Sequence, residues 1–233
     1  QPNDDFGCDM NDLSDPAIDV YDNAMFIIAL DYLLEMAPDS PQASRWKSLR
    51  EGIERNVRAH LWDVKRQKFI PHIYPEKSPI PEGFDELAIH YHGGTAIAIE
   101  AGLLSEDEIR SVNAQMLENV RLSGMPSIGL TLYPVYPDGF FHGGMSKAYL
   151  YQNGGDWTWF GGRMIQQLVV NGMVEEAYAE IHPMIERVIQ NDGFYEWYGK
   201  GGVPSGSGNF KGSAGVLSKA IELLRDWAEK NKS

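Results

Sequence analysis

The sequence predicts an all-α fold built as an array of helical hairpins, and three observations predict it. Apolar residues recur with the helical period in about seven segments. Segments that are apolar almost all round alternate with segments that keep one wet side, and short connections alternate with long ones. Strand signals are few, with residues 68–74 the best candidate. Residues 1–233 are read as a single unit.

The first helix is expected over residues 17–36, with Ser14 as N-cap and Pro16 in the first turn. Met25, Ile28, Ala29, Tyr32, Leu33 and Met36 mark one face and Phe26, Ile27, Leu30 and Leu34 the other, so a buried helix is expected. The second starts at Ser40-Pro41 and runs to about residue 61. Trp46, Leu49, Ile53, Val57 and Leu61 form one stripe, with arginines and glutamates opposite. The couplet then repeats. Residues 84–101, rich in Gly and Ala, precede an amphipathic helix over 105–122 that opens with the capping box Ser105 and Glu108. Residues 157–170 are again apolar, stop at Asn171-Gly172, and are followed by 174–190, whose core stripe is Val174, Ala177, Tyr178, Ile181, Ile185 and Val188. Pro183 is expected to kink or interrupt that helix. A last helix spans about 213–229.

Links from apolar to amphipathic helices are tight, whereas the return links, 62–83, 123–156 and 191–212, are long. In stacked hairpins, links of one kind share an end. One rim is therefore built of short turns, and the other of long loops holding nearly all the Gly, Pro and aromatic clusters. Long structured loops on a rigid scaffold are where function is expected, the alternative being irregular packing elements.

Composition removes several function classes. A net charge of −13, with no Lys/Arg-rich patch, disfavours nucleic acid and anionic membranes. The longest apolar run, residues 24–30, falls far short of the roughly 20 residues that span a bilayer. The single Cys8 excludes an internal disulfide and argues against a cysteine metal site. The chain opens on Gln1 instead of Met, as expected of one processed, trimmed or cut from something longer. That tilts a soluble protein slightly toward a periplasmic or secreted location over a cytoplasmic one.

The residues that could carry chemistry lie in three stretches. Around Phe194 to Tyr198, Glu196 stands among Phe194, Tyr195, Trp197 and Tyr198, and an acid enclosed by rings is the arrangement that acid–base enzymes exploit. The alternative is an exposed loop glutamate. The stretch YLYQNGGDWTWFGG, residues 149–162, brings Trp157 and Trp159 to a helix entrance behind Gln152, Asn153 and Asp156. Indole faces stack on sugar C–H surfaces while amides and carboxylates bond hydroxyls. The alternative is an aromatic core staple. The acidic N-terminal stretch holds Asp4, Asp5, Asp9, Asp12, Asp15, Asp19 and Asp22 without the ligand spacing of a calcium loop. His90 and His92, two apart, do not offer a zinc pair at helical spacing, and core or sugar-contact roles are expected of them. No metal and no cofactor are expected.

In order and spacing, these pieces resemble the C-terminal two-thirds of the six-hairpin glycosidases, with an (α/α)6-toroid-like fold. The resemblance is to glycoside hydrolase family 63 and the amylo-α-1,6-glucosidase-like enzymes. It rests on Phe6-Gly7-Cys8-Asp9, Val20-Tyr21-Asp22-Asn23-Ala24, Leu61-Trp62-Asp63, Gly124-Met125-Pro126-Ser127, residues 153–159 and Phe194-Tyr195-Glu196-Trp197-Tyr198. It covers nearly the whole chain through degenerate motifs. Two positions depart from the family pattern. Met10-Asn11-Asp12-Leu13 replaces the usual Ser-Pro-Arg, and Gln152 or Asn153 stands where an Arg is usual.

The resemblance implies an inverting hydrolase of an α-linked oligosaccharide or glycoconjugate. Asp9 would be the general acid, with Asp12 and Asp156 as alternatives, and Glu196 the general base, roughly 6.5–9.5 Å away across a cleft. Tyr21, Asp22, His92, Gln152, Asn153, Asp156, Trp157, Trp159, Tyr195 and Trp197 would bind the sugar. A non-catalytic sugar-binding domain, a phosphorylase or lyase on the same scaffold, and a helical-repeat scaffold for protein partners are the alternatives. Six closed hairpins need about twelve helices, and this chain offers about seven. Either hairpins lie elsewhere, in a missing N-terminal segment or on another chain, or the array is an open arc with apolar flanks that favour self-association.

Overall fold

A computed structural model describes residues 16–141 and 143–232. It contains seven α-helices among these residues: α1 (Val20–Met36), α2 (Ala43–His60), α3 (His92–Glu100), α4 (Glu106–Ser123), α5 (Thr158–Val170), α6 (Val174–Asn191) and α7 (Lys211–Lys230). The fold is all-α and toroid-like. α1 packs on α3, α3 on α5 and α5 on α7 to make an inner row; α2 packs on α1 and α6 on α5 from outside, and α4 joins the same core through Ile109, Val112 and Met116. Arg58 of α2 reaches Glu108 of α4 at 2.7 Å, and Asn113 of α4 donates to Glu180 of α6 at 2.7 Å, so the outer helices are also joined to one another. The core lies between the rows, where Ile27, Ile97, Met164 and Leu217 meet Val57, Ile109, Met116 and Ile181.

Short turns gather at one end of the helices and long loops at the other, as the connection lengths predict. The long loops carry three two-stranded antiparallel ribbons: β1 (Trp62–Asp63) with β2 (Lys68–Phe69), β3 (His90–Tyr91) with β4 (Leu132–Tyr133), and β5 (Trp197–Tyr198) with β6 (Pro204–Ser205). The expected strand over 68–74 is reduced to β2 and a bridge at Ile73.

Five local expectations change. The N-cap of α1 is Asp19, whose Oδ1 accepts the Asp22 N–H at 2.9 Å. Ile18 is held extended by paired 2.9 Å bonds with Ile73, so the helix cannot start earlier, and Ser14 lies outside the described residues. α3 begins at His92 instead of residue 84. Buried Lys68 donates to the Leu87 and Ile89 carbonyls at 2.5 and 2.6 Å, which leaves residues 84–91 as a single 3₁₀ turn followed by β3. α6 runs uninterrupted through Pro183. The Ala179 carbonyl whose partner is lost lies on the exposed side, where water can satisfy it. Finally, α1 is not buried all round: Phe26, Tyr32 and Met36 are 48%, 57% and 73% exposed. Tyr178, expected in the core stripe of α6, is also exposed. Both flanks of the row therefore present apolar side chains. No helix among the described residues is long and apolar enough to cross a membrane.

Candidate functional site

The inner helices α1, α3, α5 and α7 all start at the long-loop rim, and their first residues wall a hollow of about 240 Å³. Tyr21 comes from α1, Tyr91 from the threshold of α3, Trp157, Trp159 and Phe160 from the entrance of α5, and Phe210 from the residue before α7. Gln152 completes the lining from the loop before α5. The rings hold one another edge to face: Tyr21 against Phe160 at 6.1 Å and Trp157 against Phe210 at 6.2 Å between centroids. Trp159 is backed by the Arg163 guanidinium at 4.7 Å, and that group pairs with Glu100 at 3.3 Å.

The loop that delivers Gln152 is held in costly conformations. Tyr149 and Tyr151 have φ of 62° and 53°, and each such non-glycine residue costs on the order of 1 kcal/mol. The twist aims the Tyr151 carbonyl at the Trp157 indole N–H, 3.2 Å away, and at the Gly155 N–H, 2.9 Å away. The Gln152 carbonyl accepts the Thr131 hydroxyl at 2.8 Å, which fixes the residue's place in the wall. Gly129 is required beneath this loop, because a Cβ there would stand 2.3 Å from Asp156 Oδ1 and 2.5 Å from the Trp157 carbonyl.

Of the residues singled out from the sequence, Tyr21, Gln152, Trp157 and Trp159 line the hollow together, and Trp197 packs into the ring cluster behind it. Asn153, Asp156 and His92 are buried, and each makes hydrogen bonds inside the protein. Asn153 accepts the Tyr136 N–H at 2.9 Å and donates to the Tyr136 carbonyl at 3.0 Å. Asp156 takes the Ser127 hydroxyl on both oxygens, at 2.8 and 2.7 Å, and pairs with Arg187 at 2.7 Å. His92 Nε2 lies 2.9 Å from the Asn119 amide, and burial lowers its pKa to about 3. These three shape the rim and stand behind the wall. Asp22 sits half-buried in the first turn of α1. Tyr195 lies beside Gly208 and Tyr198.

Glu196 is half-buried on the hairpin that carries Trp197, but its carboxylate turns toward Gly206 and accepts the Ser207 N–H at 3.3 Å. It is not part of the lining. Asp9 and Asp12 lie outside the described residues. No group of three metal-ligating side chains is assembled among the described residues.

Three ring residues of the wall were not singled out from the sequence. Tyr91 and Phe210 each stand alone at a helix threshold, where a core role reads the same, and Phe160 follows Trp159 in the first turn of α5. Their one shared signal is position, since each falls at the loop-rim end of an apolar helix. Behind Tyr91, the Glu86 carboxylate accepts the Tyr136 and Tyr74 hydroxyls at 2.6 and 2.8 Å and meets His72 Nδ1 at 2.8 Å. Burial would raise its pKa, but these partners outweigh it and lower the value. His72 lies 6.4 Å from the Tyr91 ring, so this cluster buttresses one wall of the hollow.

No protein-family model matches the sequence, and no curated protein matches it. Solved structures do share the fold. The chain is similar to the GH63 mannosylglycerate hydrolase from Thermus thermophilus in complex with Tris and D-glycerate, with a TM-score of 0.59, 16% identity, and coverage of 90% of this chain and 46% of that one. The same hydrolase in complex with glucose gives 0.59, 17%, 90% and 48%. An uncharacterized conserved protein from the same organism gives 0.61, 18%, 90% and 47%. The chain spans about half the length of these structures. At this identity the likeness establishes a fold shared with glycoside hydrolases, and the site must be argued from its own residues.

Proposed function

We propose that this chain is a carbohydrate-active domain of glycoside hydrolase type, acting by inversion on an α-linked oligosaccharide or glycoconjugate. The observation that carries the reading is the ring-walled hollow on the loop rim of a glycosidase-type helical fold, with an amide in its lining. Trp157 and Trp159 offer indole surface to the C–H faces of a sugar, and Gln152 can serve its hydroxyls in both hydrogen-bonding senses. In this reading Glu196 activates water and Asp9 protonates the leaving oxygen. A panel of α-glucosides, α-mannosides and branched α-glucans, assayed for released sugar, tests it. Glu196→Gln is expected to lower kcat by roughly 10²–10⁴-fold, and unchanged turnover would remove Glu196 from the mechanism.

One observation favours a second reading, sugar binding without hydrolysis: the Glu196 carboxylate faces Ser207 and not the hollow. That reading predicts calorimetric binding of oligosaccharides, weakened by Trp159→Ala, with no product from the wild-type chain over days.

A further inference from the structure

Several cations around the hollow are already engaged. Arg163 lies behind Trp159 and is paired with Glu100. Arg187 is buried against Asp156. Lys68 is buried under the Leu87 and Ile89 carbonyls, and Lys200 rests 3.9 Å from the centre of the Tyr149 ring. Burial, with Lys68 adding to it, lowers the pKa of His90 to about 4, and that of His92 is lower still, so neither imidazole is charged at neutral pH. None of these groups lines the hollow, whose described wall is six aromatic residues and Gln152.

Two of the four helix N-termini around the hollow also have partners, while α5 and α7 carry no side-chain cap among the described residues. The Asp19 carboxylate caps α1, and the Thr131 carbonyl accepts the Gly93 N–H of α3 at 3.0 Å. An anion entering this space gives up its hydration against a described wall that has no charged side chain, on a chain of net charge −13. Hydroxyl groups face a milder form of the same constraint. Six of the seven lining residues offer ring surface, so a sugar edge rich in hydroxyls leaves several without a partner, whereas C–H edges and methyl groups stack well.

We propose that the hollow is selective for an uncharged, sparsely hydroxylated sugar ring, with a 6-deoxyhexoside ranked at or above the parent hexoside and uronates or other anionic glycosides rejected. This rests on the sugar-binding reading above and narrows it. It also separates this chain from its structural neighbour, which is named for mannosylglycerate, a substrate with an acidic glycerate moiety.

The test uses three methyl α-glycosides that differ only at C6, carrying CH₃, CH₂OH or COO⁻. They are titrated in both the gluco and manno series by tryptophan fluorescence and calorimetry, at neutral pH and fixed ionic strength. In the series that binds, the uronate is expected to be about tenfold weaker or more than the 6-deoxy sugar. Gln152→Lys, which sets a cation in the wall, is expected to recover uronate binding severalfold. Uronate affinity equal to or above that of the 6-deoxy sugar in the wild-type chain would overturn the selectivity while leaving sugar binding intact. Silence from all six ligands would overturn the sugar-binding reading and the selectivity with it.

Discussion

Helices α1 and α3 are both strongly apolar, yet only one is enclosed. Every residue of α3 from His92 to Ile99 is buried, because α1 flanks it on one side and α5 on the other. α1 packs on α2 and α3, and its free side leaves Phe26, Tyr32, Leu33 and Met36 exposed. The difference teaches that apolar composition is a demand for neighbours, which only the surrounding row can meet. Among the described residues the row ends with α1 on one flank and the α6–α7 groove on the other, where Tyr178, Ile221 and Trp227 are exposed.

Substitutions along the two helices can break this contrast or sharpen it. The largest effect is expected from Ile97→Ala in α3. Ile97 is fully buried, and the cavity should cost about 2–5 kcal/mol, read from the denaturant midpoint at unchanged slope. Next comes Gly94→Ala, where the new Cβ would stand 2.7 Å from Val20 Cγ1 and 2.8 Å from the Tyr91 ring. A loss of about 1–3 kcal/mol is expected, together with altered near-UV circular dichroism as the hollow's wall shifts.

A third prediction concerns the outer seam between α4 and α6. Buried Glu180 is bonded to Asn113 and faced by Glu176, which itself lies 3.7 Å from Arg110. Burial raises the Glu180 pKa from 4.5 to about 7. The folded chain then holds more protons than the unfolded chain between those values, so stability falls as pH rises from about 4.5 through 7. Glu180→Gln should flatten that slope by on the order of 1 kcal/mol, seen in Tm measured against pH.

The smallest effects belong to α1. Phe26→Ser and Tyr32→Ser should change stability by no more than about 0.5 kcal/mol. Sedimentation should show less self-association for both, because apolar surface of this kind joins copies.

Much of the scaffold was legible in the letters because its signals are local. The Ser105–Glu108 capping box opens α4 as the sequence predicts, and the alternation of link lengths separated the long-loop rim from the short-turn rim. The start of α3 was not legible, since it depends on Lys68 gripping carbonyls from a loop well before it in the chain. The site divides along the same line. Gln152, Trp157 and Trp159 stood out as polar and aromatic residues at a helix entrance, Tyr21 came only from the family resemblance, and the four do meet at one hollow. Asn153 and Asp156 share that stretch but point inward, because their partners, Tyr136 and Arg187, come from distant segments. Tyr91 and Phe210 are single rings that carry no local mark of function.

Arg187 reaches inward from the outer helix α6 and touches three rim segments at once. Its guanidinium meets Ser127 at 3.2 Å, Asp156 at 2.7 Å and Thr158 at 2.6 Å, and lies 4.1 Å from the centre of the Tyr198 ring. Asp156 and Tyr198 are further tied by reciprocal backbone bonds of 2.9 and 2.8 Å. An outer wall pinned in this way cannot slide along its axis without dragging the indoles of residues 157 and 197 with it. Heat that loosens the periphery should therefore dismantle the aromatic chamber in the same cooperative step.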